Sequence, residues 1–232
     1  MSGREIERVG ERAGVWAIVV AGGAGARFGG GIAKQYLPLG SVRVVDRSLS
    51  LVRSVCGSRV VLVVANDRLG DHGTDAPCVV AGGTTRSGSV RAGLAAVGPD
   101  AEIILVHDAA RPLVPGAVLS RLLAAIDAGA DAAVPGMELT DTVKRVDRSG
   151  LVLETPDRAS LMAVQTPQAF RADVLRRVHL AGGEATDDAA LVEASGGRVV
   201  VVTGDPLGRK VTTDEDLTWL RAQLETITGQ DR

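Results

Sequence analysis

What most constrains this chain is a recurring short apolar run rich in β-branched residues: VWAIVVA (15–21), RVVLVVA (59–65), PCVVA (77–81), EIILVH (102–107), DAAVP (131–135) and RVVVV (198–202). Each is strand-sized and close to continuously apolar, the pattern of a strand covered on both faces. Segments with helical spacing lie between several of them, at 48–55, 87–97, 115–128 and 172–181. Strand then helix, repeated with right-handed crossovers, predicts an α/β fold: a mostly parallel twisted sheet with helices on both faces. With two Trp, one Tyr and two Phe among 232 residues, the core has to be built from Val, Leu, Ile and Ala. The length suits one domain, placed at 15–228.

Two segments break the rhythm. Residues 140–158, TDTVKRVDRSGLVLETPDR, alternate on either side of Arg148-Ser149-Gly150 and read as a β-hairpin within an arm at about 137–159. Such an insertion is a lid, an edge extension or a dimerisation arm. Residues 1–14, MSGREIERVGERAG, are polar throughout, lack the apolar centre of a signal peptide and are expected to be a disordered tail.

The balance of 26 basic against 28 acidic residues leaves no broad positive field for a nucleic-acid backbone, so no nucleic-acid partner is expected. No apolar run approaches the ~20 residues of a membrane span. Cys56 and Cys78 have no metal-ligand spacing and read as small buried hydrophobes in a reducing compartment, which places the protein in the cytoplasm.

In open α/β sheets, ligands sit outside the carboxyl ends of the strands, so chemistry is sought just after each run. The first run leads into AGGAGARFGGGIAKQYL (21–37), where Ala21, Gly22, Gly23 and Gly25 let backbone N–H groups close on phosphate oxygens and Arg27 and Lys34 can reach the same charge. A flexible surface loop is the plainer alternative. The loop fits neither the dinucleotide fingerprint, since Phe28 stands where its third glycine belongs, nor the Walker loop, since Lys34 lies between Ala33 and Gln35. The third run leads into GGTTRSGSV (82–90), where Gly83, Thr84 and Ser89 can accept a flat base close to the backbone or simply form a capped turn.

The fourth run ends in charge, LVHDAARP (105–112). Asp108 at the strand end can hold a divalent cation that bridges phosphates, and Arg111 can reach an anionic substrate. His107 reads as a packed neighbour rather than a catalyst, and no Ser-His-Asp or Cys-His arrangement points to a covalent nucleophile. Downstream, Thr186 can cap the helix that follows, Thr213 with Asp216 has capping-box spacing, and Lys210 is a cation that neither cap requires.

Taken in order, AGGAGARF…AKQYL, GGTTR, LVHDAARP, DTVKR, TPDR, QTPQAF, TDDA and KVTTDEDL resemble the cytidylyltransferase family of the non-mevalonate isoprenoid pathway, over about 15–224. The resemblance implies a Rossmann-like nucleotidyltransferase fold, Mg²⁺ or another divalent cation, and a homodimer joined through the arm. The implied reaction is attack by the phosphate of methylerythritol 4-phosphate on the α-phosphorus of CTP, releasing pyrophosphate. It makes Arg27, Lys34, Asp108 and Lys210 catalytic, with Asp108 at the metal. It gives nucleotide binding to Ala21, Gly22, Gly23, Gly25, Gly83, Thr84 and Ser89, and a supporting role to Arg86. It gives acceptor binding to Arg111, Thr142, Arg158, Thr166 and Thr186, with Arg158 and Thr166 reaching the neighbouring subunit's site. The first loop here departs from the family's Pro-Ala-Ala-Gly opening, and its extra glycines, Gly29 to Gly31, are expected to loosen it without nucleotide. Ribitol-5-phosphate cytidyl transfer and a catalytically silent nucleotide-binding protein are the rival readings.

Overall fold

The computed structural model describes residues 10–22, 33–70 and 72–229. In chain order the elements are β1 (Val15–Ala21), β2 (Pro38–Leu39), β3 (Val42–Arg43), α1 (Val44–Cys56), β4 (Val60–Val64), β5 (Cys78–Ala81), α2 (Arg86–Ala96), β6 (Ile103–Asp108), α3 (Gly116–Asp127) and β7 (Ala132–Glu138). They continue with β8 (Arg145–Val146), β9 (Val152–Glu154), β10 (Met162–Val164), β11 (Gln168–Arg171), α4 (Ala172–Leu180), α5 (Asp188–Ala194), β12 (Val199–Thr203) and α6 (Asp214–Gly229). All six apolar runs are strands of one eight-stranded sheet, and each of the four helical segments lies on one of α1 to α4.

The parallel half runs β5-β4-β1-β6. Beyond it, β11 pairs antiparallel with β6 and β7, β10 continues along the same side of β7, and β12 lies parallel on its other side. The sequence reading contained no β10 or β11: each is three or four residues long, and they flank the QTP turn, so no window holds enough of a period.

Alternation divides the core in two. Ala17, Val19, Leu62, Val64 and Leu105 face α1 and α3, while Ile18, Val61, Val63, Ile104 and Val106 face α2, α4 and α5. β4 and β6 are buried at every position, as strands covered on both faces require. Helix α2 approaches closely because it carries Gly93, where a Cβ would stand 2.6 Å from the Ile18 Cγ2. A smaller cluster of Leu39, Val44, Val211, Leu217 and Leu220 docks α6 beside the β2–β3 hairpin.

Part of the expected tail belongs to the domain. Residues 1–9 lie outside those described, but Arg12 forms a two-pronged pair with Asp127 and its backbone N–H donates to the Val55 carbonyl at 2.8 Å. Polarity suggested fraying there because both partners are distant in sequence. The arm is present as the antiparallel pair β8–β9, with Val146, Leu151, Val152 and Leu153 half-exposed or more. Cys56 is buried and burial pushes its thiol up to about 12; Cys78 is only half-buried, so the expectation holds fully for the first alone.

Candidate active site

A cleft of about 430 Å³ opens at the carboxyl ends of β1, β5 and β6. Its walls include Ala21, Gly22, Lys34, Gly83, Thr84, Ser89, Asp108 and Lys210, residues that the sequence assigned to nucleotide and catalysis. Gly23, Gly25 and Arg27, assigned to the same loop, lie outside the described residues, as do Gly29 to Gly31. After β1 the chain returns through a 3-10 turn at Lys34–Tyr36, where the buried Gln35 amide donates to the Ala21 carbonyl at 2.6 Å and ties the two limbs of the loop together.

On the facing wall, Gly83 lies against the backbone of α2: a Cβ there would stand 2.8 Å from the Gly88 carbonyl carbon. Thr85 caps α2 by accepting from the Gly88 N–H, and the Ser89 hydroxyl donates to the Thr85 carbonyl at 3.0 Å. The capped turn forms, and the residues proposed for base binding, Gly83, Thr84 and Ser89, line the cleft beside it.

Asp108 ends β6, is 8% exposed, and meets two cations: Lys210 Nζ at 2.6 Å from Oδ2 and Arg86 Nε at 3.4 Å from Oδ1. Burial works against its charge, yet Lys210, Arg86 and Arg111 outweigh that and hold the carboxyl below the usual carboxylate range. Its backbone N–H donates to Thr166 Oγ1 at 3.0 Å, and the same oxygen lies 3.1 Å from His107 Nδ1. His107 is fully buried, and burial lowers its imidazole to about 4, so it packs as a neutral ring behind the strand end.

A second cavity of about 130 Å³ adjoins the first and shares Arg86, Asp108 and Lys210 with it. Arg111, Thr166 and Thr186, which the resemblance assigns to the acceptor, line it. Arg111 Nη1 donates to the Gly208 carbonyl at 2.7 Å, which braces the loop carrying Lys210.

Three assignments need correction. Thr166 lines its own chain's second cavity rather than standing out on the arm: it is 5% exposed and its hydroxyl is held against the Asp108 N–H and His107 Nδ1. Thr186 does not cap α5; Asp187 does, through Ala190 N–H at 3.0 Å, because a carboxylate one residue later reaches the helix start directly. Thr142 lies exposed on the arm and lines neither cavity of its own chain, whereas Arg158, assigned to the neighbouring subunit's site, lies on the same arm outside both cavities and donates to the Thr140 carbonyl. The Thr213–Asp216 capping box forms as its spacing predicts.

Sequence reasoning underrated Arg86 and passed over Asp188. Arg86 Nη1 donates to Asp188 Oδ2 at 2.7 Å, across 102 residues. The only prior signal was that both lie in motifs of the family resemblance, GGTTR and TDDA.

A mostly parallel α/β sheet whose strand ends carry a Gly-lined cleft, with a carboxylate and cations at its junction with a smaller polar cavity, fits the class of nucleotidyltransferases, and the family match shows that class. The IspD family model, 2-C-methyl-D-erythritol 4-phosphate cytidylyltransferase, matches residues 15–226, and the chain belongs to that family. It is 44% identical over 216 residues to the 2-C-methyl-D-erythritol 4-phosphate cytidylyltransferase of Rhodococcus opacus strain B4, covering 91% of this chain and 95% of the relative. The enzyme of the same name from Nocardia farcinica is 45% identical over 209 residues, covering 88% and 90%. The crystal structure of the Thermus thermophilus cytidylyltransferase superposes with a TM-score of 0.76 at 29% identity, covering 90% of this chain and 98% of that one.

Proposed function

We propose that this chain carries out its family's reaction in the larger cleft, transferring the cytidylyl group of CTP to 2-C-methyl-D-erythritol 4-phosphate. An oxygen of the acceptor phosphate attacks the α-phosphorus, the bond from that phosphorus to the β-phosphate oxygen breaks, and pyrophosphate leaves. The observation that carries this is Asp108, flanked by Lys210 and Arg86 on the wall shared by a nucleotide-sized cleft and a smaller polar cavity. That junction is where a donor α-phosphate and an acceptor phosphate would meet.

In this reading the backbone of Ala21, Gly22 and Gly83, with Thr84 and Ser89, holds the nucleotide. Lys34 and Arg27 meet charge that grows on the phosphates, and preorganised cations of this kind lower the barrier because they need not reorient during the reaction. Lys210 and Arg111 orient the acceptor, while the Thr166 hydroxyl fixes the strand end that delivers Asp108.

No group of three or more His, Cys, Asp or Glu suited to a metal occurs among the described residues. One carboxylate with substrate phosphates is nevertheless the ordinary way Mg²⁺ is bound, and Asp108 fits that arrangement. A bound Mg²⁺ would neutralise phosphate charge beside Asp108.

A homodimer through the arm is supported by its exposed aliphatic residues and by the position of Thr142 and Arg158 outside their own chain's cavities. No helix among the described residues is long and apolar enough to cross a membrane. The near-neutral charge and two free cysteines are consistent with a cytoplasmic enzyme without a nucleic-acid partner. Ribitol 5-phosphate is not favoured as acceptor, since the named relatives act on methylerythritol phosphate.

The test is pyrophosphate release from CTP and Mg²⁺ with methylerythritol 4-phosphate or ribitol 5-phosphate, with ATP as control. Turnover with the first acceptor and CTP is expected; preference for ribitol phosphate would move the acceptor assignment, and silence with both would favour a binding-only protein.

A further inference from the structure

Arg86 opens α2 between two carboxylates and holds them unequally. Its Nη1 lies 2.7 Å from Asp188 Oδ2, whereas its Nε lies 3.4 Å from Asp108 Oδ1. Asp188 is fully buried, and its other oxygen lies 2.9 Å from Nε2 of the buried His179. A carboxylate withdrawn from water is tolerated only when paired and hydrogen-bonded, and this one is spent on an arginine that lines both cavities. The third nitrogen of the guanidinium, Nη2, is buried with no hydrogen-bond partner among the described residues. Without the Asp188 charge, Asp108 would be the nearest remaining anion, and the fork of Arg86 would close on it as a bidentate pair that recruits Nη2.

We propose that Asp188 is a positioning residue for the transfer reaction: gripped by His179, it keeps Arg86 from closing a bidentate pair on Asp108 and leaves Asp108 Oδ1 with only the long 3.4 Å contact, which substrate can displace. The proposal rests on the cytidylyl-transfer reading.

Asp188→Asn keeps the shape and removes the charge. It is expected to lower kcat about tenfold or more while the KM for CTP stays within about twofold. Because Asp188 acts through Arg86, combining it with Arg86→Lys, which cannot form a fork, should leave kcat no lower than Arg86→Lys alone. His179→Leu should show a similar loss, and His179→Gln, which keeps an N–H toward Asp188, should recover most of it. Thermal midpoints are measured on each preparation. Variants that lose stability but keep wild-type kcat, or losses that add in the double variant, would overturn the proposal. If Asp188→Asn does not fold, the His179 pair decides: equal kcat for Leu and Gln overturns it. Wild-type enzyme assayed alongside separates the two readings, since silence there sinks the reaction itself, whereas wild-type turnover matched by the variants sinks only the role of Asp188.

Discussion

Lys210 Nζ lies 2.6 Å from Asp108 Oδ2, joining the loop before α6 to the end of β6 across 102 residues. The pair lines both cavities at their junction, where the proposed reaction brings the donor and acceptor phosphates together. Lys210→Met is expected to lower kcat by about 10²-fold with a smaller change in either KM. Steady-state kinetics in both substrates checks this; a rise in KM with kcat intact would reduce Lys210 to a binding residue.

Asp108 should also leave a signature in acid. Its carboxyl is held below the usual range when folded, while the unfolded chain takes up that proton near the ordinary ~4. The unfolded state therefore binds more protons as pH falls, and the stability due to ionised Asp108 is full above the unfolded value and lost toward the folded one. Between about pH 5 and 3, the thermal midpoint of the wild type should fall more than that of Asp108→Asn, which cannot titrate. Parallel curves would contradict the assignment. The same variant should keep its fold at neutral pH and lose most turnover.

Gly83 is required by distance rather than by backbone angle. A Cβ would enter the Gly88 backbone, so Gly83→Ala should cost about 1–3 kcal/mol and displace the start of α2. The KM for CTP should rise more than that for the acceptor, measured with each substrate varied in turn. Unchanged CTP affinity would remove this wall from the nucleotide site.

Asp216, 4% exposed, accepts from Arg209 Nε at 2.7 Å and from the Thr212 and Thr213 N–H groups at 2.8 and 2.9 Å. Thr213→Ala removes one side of the cap and should cost about 1 kcal/mol. Asp216→Ala strands several donors and should cost about 3 kcal/mol, with loss of turnover because the same loop carries Lys210. Urea unfolding of the two variants gives the ranking; equal costs would mean that the loop is held elsewhere.

The arm carries the remaining prediction. Leu153, 51% exposed on β9, should be covered by a second copy if the protein is a homodimer. Leu153→Arg is then expected to shift the molecular mass in light scattering toward the monomer at micromolar concentration. A wild-type protein that is already monomeric would refute the dimer.

Much of the molecule was readable before folding. Continuous Val and Ile runs are legible because a strand buried on both faces needs no polar side, and the hairpin is legible because alternation flanks a turn. Asp108 stood out because charge ends an apolar run, and Thr213 and Asp216 because capping is local. Such signals lie within a few residues of one another, so the sequence alone determined them. Tertiary structure decided the rest. It inserted β10 and β11 antiparallel into a mostly parallel sheet, turned Thr166 back onto its own Asp108, gave the α5 cap to Asp187, and set Arg86 between Asp108 and Asp188. Apart from that cap, these arrangements depend on which strand ends and loops meet in space. Periodicity and spacing report what a segment buries, not which distant residue it will face.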